Sequence, residues 1–210
     1  MEQAPVRAAA DDRVRQPRGH ARREAIVAEA VTLFAARGFR GTSITELADR
    51  VGMTHPGLLY YFGTKQRLLL DVVSEREQRE TSALLGTIGD GPGELGRGLR
   101  AIARFVAHDA VRTRLYVVLG AENLDPGDPL HDFFVDRYAR VRDLVASAVR
   151  RGGATVDADQ LGREVVATLM GLEIQWLMDP SAFDYLTAVD AYADAVERRI
   201  ASTLHTTREH

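Results

Sequence analysis

The sequence has 210 residues, 45% of them hydrophobic and 27% charged, and it contains no cysteine. This suits one or two soluble domains in a reducing cytoplasm and removes disulfide frameworks, thiol nucleophiles and cysteine-ligated zinc together. The formal charge of −3 is unevenly distributed, because residues 1–70 carry 11 Lys and Arg against 7 Asp and Glu, whereas residues 71–210 carry 16 against 23.

Residues 1–17 lack helical periodicity and read as a flexible arm. A first helix is predicted from about residue 18, with Ile26, Ala30, Leu33, Phe34 and Arg37 on one face and Gly38 at its end. Ser43 and Glu46 have capping-box spacing, which predicts a short helix over 44–51. Gly52 suits a left-handed turn, and Thr54 can cap a further helix that has Pro56 in its first turn and ends near Phe62. Gly63-Thr64 breaks and recaps the chain, and a longer helix starts at Lys65 with Leu68, Leu69, Val72 and Val73 facing inward. Beyond a glycine-rich joint at 86–93, helical patterns resume. They lie around 99–106, around 116–119 with a stop before Asn123, over 134–148 with a close at Gly152-Gly153, over 159–178, and after Pro180 through residue 200. No alternating strand or repeat is present, so the expected fold is all-α with about nine helices.

A basic first third on an acidic remainder fits a polyanion-binding module attached to a body that does not touch the polyanion. A solvated charged face gives the same count, so composition alone needs a motif. The segment 43–62 supplies one: a helix, a glycine-centred turn and a second short helix, a unit that can lay its second helix in the major groove while the first crosses the backbone. Thr54, His55, Pro56 and Gly57 stand where base edges would be met. Tyr60, Tyr61 and Lys65 offer hydroxyls and an ammonium suited to phosphate. Leu58, Leu59 and Phe62 read as core, and Tyr61 fits either a phosphate donor or a buried aromatic. Arg13, Arg15 and Arg18 either solubilise the arm or reach a minor groove.

The stretch from Arg22 to Ser74 closely resembles the N-terminal domain of the tetracycline-repressor-like (TetR) family of bacterial transcription regulators. The resemblance is carried by Leu33-Phe34 with Gly38-Phe39, Thr42-Ser43-Ile44, Leu47-Ala48 with Val51-Gly52-Met53, then Leu58, Phe62, Lys65 and Leu68-Leu69, without a gap. It implies a DNA-binding domain over 18–66 and a ligand-binding and dimerisation domain over 67–205. It also implies that Ser43 caps the first motif helix and meets phosphate, and that Thr45 reaches a base or phosphate. His55, Pro56 and Gly57 would face base edges, Tyr60 and Tyr61 the DNA backbone, and Lys65, the only lysine in the chain, a phosphate. The family's usual tyrosine is replaced here by Leu59, so Tyr60 or Tyr61 would supply that hydroxyl. Gly57 has no side chain, which leaves His55 as the main base-reading donor, and gives DNA shape, Thr45 and the arm arginines a larger share of specificity.

The same resemblance implies a homodimer on a palindromic double-stranded operator, acting as a repressor that a small-molecule effector releases. Candidate effector contacts are Phe105, His108, Tyr116, Phe133, Phe134, Met170, Glu173 and Trp176, any of which is equally explained as core. Candidate dimer contacts are Val166, Met170, Ile174, Leu186, Val189, Tyr192 and Val196, with Gly171 permitting close approach; the alternative is that 159–178 is buried within its own domain. The histidines show no H-x-x-x-H or H-E-x-x-H spacing, and neither a G-x-S-x-G elbow nor a glycine-rich phosphate loop is present. Neither enzymatic activity nor a metal or cofactor is therefore expected. No stretch approaches the ~20 apolar residues that span a bilayer, so no membrane partner is expected either. The competing reading is a helical small-molecule sensor or carrier that acts through protein partners rather than DNA.

Overall fold

The computed structural model describes residues 8–85 and 93–206, with side-chain surroundings from residue 19 onward except at 75, 76, 78–85 and 204–206. Among these residues the regular elements are nine α-helices: α1 (Ala8–Arg37), α2 (Ile44–Arg50), α3 (His55–Phe62), α4 (Lys65–Leu85), α5 (Glu94–His108), α6 (Ala110–Glu122), α7 (His131–Arg151), α8 (Ala158–Met178) and α9 (Tyr185–Thr206). The expected all-α class is therefore the observed one. No described helix is long and apolar enough to cross a membrane. Nearly all of the glycine-rich joint, 86–92, lies outside the described residues.

One boundary differs. Helix α1 extends back to Ala8 instead of starting near residue 18, so the described part of the expected arm is helical. The physical reason lies in Ala8-Ala9-Ala10, which have the highest helix propensity.

Short polar residues set the joints. Asp109 interrupts the chain between α5 and α6, and its carboxylate accepts from the Arg112 backbone N–H at 3.0 Å. Asp157 accepts in the same way from Gln160 at 3.0 Å at the start of α8, and Asp184 from Thr187 at 2.6 Å at the start of α9. Each fills one of the donors that a helix start leaves unpaired.

Two apolar cores result. The first gathers Ile26, Leu33 and Phe34 of α1, Leu47 of α2, Leu58 and Phe62 of α3, and Leu68, Leu69, Val72 and Val73 of α4. It is closed by Leu115, Tyr116 and Leu119 of α6 together with Leu130 and Phe134. The second gathers Leu95 and Leu99 of α5, Val145 and Val149 of α7, Leu161 and Val165 of α8, and Val189 and Val196 of α9. The core of the N-terminal unit thus continues past residue 66 into α6 and the first turn of α7. Helix α7 contributes to both cores. Along its second half it lies so close to α8 that a Cβ on Gly162 would stand 2.8 Å from the Arg142 carbonyl oxygen.

Candidate functional site

The turn between α2 and α3 is closed by the backbone. Gly52 takes a left-handed φ of 63°, its N–H donates to Asp49 O at 3.1 Å, and Met53 N–H donates to Ala48 O at 2.8 Å. This is the Schellman pattern, in which the left-handed residue favours glycine. Arg22 of α1 donates to the Gly52 carbonyl at 3.2 Å and ties the turn to the first helix. Thr54 then caps α3, its hydroxyl accepting from Gly57 N–H at 3.2 Å, with Pro56 in the first turn.

This arrangement leaves Leu58 and Phe62 buried and turns the opposite side of α3 outward. Thr54, His55 and Pro56 are exposed and Gly57 is half-buried. Tyr60 is 87% exposed. Tyr61, half-buried, meets the Tyr60 ring edge-on at 5.8 Å and packs toward Phe62 at 6.5 Å. Ser43 and Thr45 are exposed at the start of α2. Among the residues expected to meet DNA, the structure thus brings Thr54, His55, Pro56 and Tyr60 onto one exposed helix with Tyr61 at its edge.

One local expectation fails. Ser43 is the N-cap of α2 but makes no side-chain capping bond, and Glu46 does not supply the reciprocal half of a capping box. Its carboxylate accepts from Arg37 at 2.6 Å and Arg50 at 3.3 Å, and Arg50 also donates to Glu29 at 2.9 Å. Charge-assisted bonds to guanidinium outcompete a neutral backbone N–H. Lys65, expected to meet phosphate, is half-buried, with its ammonium 4.3 Å from the centre of the Phe39 ring. Burial lowers its pKa below the usual lysine value, and the Glu122 carboxylate opposes that shift. Phe39 and Glu122 were not legible as site residues: Glu122 accepts from Phe39 N–H at 2.6 Å across 83 positions of sequence, and no local pattern signals such a bond.

In the second half of the chain the expected effector contacts divide between the two cores. Tyr116 and Phe134 are buried in the first, with ring centres 6.1 Å apart, and the Tyr116 hydroxyl donates to the Val73 carbonyl at 2.6 Å. The Arg137 guanidinium lies 4.6 Å above the Tyr116 ring and pairs with Glu77 of α4, which also accepts from Arg140 at 2.8 Å. Phe133 packs against the same cluster. Trp176 belongs to the second core and stacks on Tyr185 at 5.2 Å. Phe105, Met170 and Glu173 are half-buried, and His108 is exposed. Glu173 lies near enough to Tyr138 of α7 and Tyr185 of α9 to add to the burial that raises both hydroxyl pKa values. An open cleft of about 420 Å³ is lined by Ala107, Phe183, Tyr185 and Leu186 together with Trp176, the one expected residue that borders it.

The expected dimer residues also separate. Val166, Met170, Ile174 and Tyr192 are half-buried, and Leu186 is 38% exposed. Val189 and Val196 are not available to a partner, since they are 0% and 3% exposed inside their own core. The helical stripe that suggested them fills the contact of α9 with α5 and α8 instead. A Cβ on Gly171 would meet nothing within 4 Å, so this part of α8 faces open space within the chain.

Two family models match the sequence: the bacterial regulatory proteins of the tetR family over residues 26–72, and the C-terminal part of BetI-type transcriptional repressors over residues 97–204. The transcriptional activator FasR of Mycolicibacterium smegmatis is 31% identical over 104 residues, 48% of this chain and 47% of that protein. The transcriptional regulator RutR of Escherichia coli K12 is 34% identical over 55 residues, 26% of each chain. The chain therefore spans about half the length of the first relative and a quarter of the second. Among solved structures, a TetR-family transcriptional regulator from Agrobacterium tumefaciens superposes with a TM-score of 0.69 at 18% identity, covering 87% of this chain and 98% of that one.

Proposed function

The chain belongs to the tetR family of bacterial regulatory proteins, and on that premise we propose that it is a cytoplasmic, homodimeric transcription repressor released from a palindromic operator by a small molecule. The observation that carries the reading is the outward side of α3, where His55 and the 87%-exposed Tyr60 stand on a helix whose other side is sealed by Leu58 and Phe62. His55 offers ring nitrogens to base edges, and the Thr54-capped N-terminus and the Tyr60 hydroxyl offer phosphate contacts. One such helix reads few base pairs, so a second copy on the adjacent half-site supplies the affinity. Half-buried apolar groups at Val166, Met170 and Ile174, with exposed Leu186, support α8 and α9 as the surface between copies. The match over 97–204 to BetI-type repressors supports repression. An effector held among α5–α8 would favour a state in which the two α3 helices no longer match the half-sites.

The test is a selection of genomic fragments on the immobilised protein, followed by titration of the selected palindrome. Tight binding by the wild type, lost in the H55A/Y60F/K65A variant, supports the reading. Undiminished binding by that variant sinks it.

A further inference from the structure

We propose that Glu122, at the C-terminal end of α6, is the positioning residue that seats Lys65 for phosphate, and so links the ligand half of the chain to the DNA face. The inference rests on the DNA-binding reading above. The Glu122 carboxylate crosses from α6 to the turn after α1 and accepts the Phe39 backbone N–H at 2.6 Å. Gly38 leaves the room for it: a Cβ at Gly38 would stand 2.1 Å from Glu122 Oε1. A carboxylate on a partly buried N–H is a charge-assisted bond, stronger than the neutral bonds of an ordinary turn. Phe39, held at its backbone, packs its ring at 6.1 Å from Phe34 of the first core and places that ring under the Lys65 ammonium at 4.3 Å. The contact is a cation–π pair at the first residue of α4. Glu122, Phe39 and Lys65 thus form one relay from α6 to the head of α4.

The α6 end of this relay is itself anchored. Buried Asn123 donates to the Leu119 carbonyl at 2.7 Å and accepts from Leu130 N–H at 2.9 Å, which fixes the α6–α7 turn. A second strut runs parallel: Asp128 of that turn accepts from Arg40, next to Phe39, at 2.8 Å. A rearrangement of α6 therefore reaches the turn after α1 through two anionic groups, and reaches Lys65 through the first of them.

The test is a double-variant cycle read by fluorescence anisotropy, using the full chain and a labelled mixed-sequence duplex over a range of salt. Loss of one phosphate contact lowers the salt slope by about 0.9, which corresponds to about eightfold in affinity at 0.1 M salt. K65A is expected to show that loss. E122A is expected to show it too, and to cost nothing further in the K65A background, whereas E122Q, which keeps an acceptor for Phe39, stays within about twofold of wild type. Should E122A not fold, F39L removes the ring while keeping the backbone bond, and it is expected to show the same loss, again absorbed by K65A. Additive effects of the Glu122 or Phe39 variants with K65A overturn the inference while leaving Lys65 as a phosphate ligand. An unchanged slope in K65A removes the lysine from the DNA face, and the inference falls with it.

Discussion

Gly162 on α8 allows the close approach of α7 and α8 to be tested by a single methyl group. In G162A the new Cβ would stand 2.8 Å from the Arg142 carbonyl oxygen, 3.4 Å from its carbon and 3.5 Å from its Cα. All three are backbone atoms of a neighbouring helix, so no flexible side chain can yield, and the helices must separate by several tenths of an ångström. Such overpacking costs about 1–3 kcal/mol. Replacing a helix-interior glycine by alanine also gains about 1 kcal/mol of helix propensity, which offsets part of that loss. The net expectation is a destabilisation of about 1 kcal/mol, or about 2–4 °C in Tm for a chain of this size. G19A is the matched control, because it lies within α1 and its Cβ would meet nothing within 4 Å. It should show the propensity gain alone. Urea unfolding followed by circular dichroism, at one fixed protein concentration because association shifts apparent stability, reads both variants. The difference between them isolates the overpacking. Equal midpoints for G162A and G19A would refute the tight α7–α8 contact.

The Glu77 carboxyl predicts a pH dependence. Burial alone would raise its pKa, but the Arg137 and Arg140 guanidiniums outweigh burial and hold it below the ordinary glutamate value. The unfolded chain then binds this proton more readily, so the contribution is complete above the unfolded pKa of about 4.3 and is lost as pH falls through the lower folded value. E77Q should accordingly be less stable than wild type by about 2 kcal/mol at neutral pH, with the gap closing in acid; a gap that stays constant on acidification would contradict the ion pair. T54A removes the α3 cap and should cost about 1 kcal/mol, with faster amide exchange at Gly57. Unaltered Gly57 exchange would show that the hydroxyl does not hold that N–H.

Much of the local structure was legible because its causes are local. Gly52, Thr54 and Pro56 determine a turn and a helix start within a few residues, and the 3.6-residue spacing of Leu68, Leu69, Val72 and Val73 determines which side of α4 is buried. An apolar stripe says that a face is covered, not by what. For this reason Val189 and Val196 looked available to a second chain, although α5 and α8 already cover them. Competition between partners was equally hidden. Glu46 has capping-box spacing, but two arginines from α1 and α2 claim its carboxylate. At the candidate DNA face, the exposure of His55 and Tyr60 follows from the local helix and was legible, while the seat of Lys65 depends on Phe39 and on a carboxylate 83 positions from it.

The first core has a consequence for engineering. Recombining the DNA-facing head of this chain with the body of another regulator would, by sequence alone, be planned at the expected boundary near residue 66. In this chain a cut there would strip Leu115, Tyr116, Leu119, Leu130 and Phe134 from a packed interior and leave Leu68 and Leu69 facing unrelated side chains. A graft that keeps its stability must carry α6 and the first turn of α7 along with the head. The transplantable unit is therefore discontinuous in sequence, and its seam runs just after the first turn of α7.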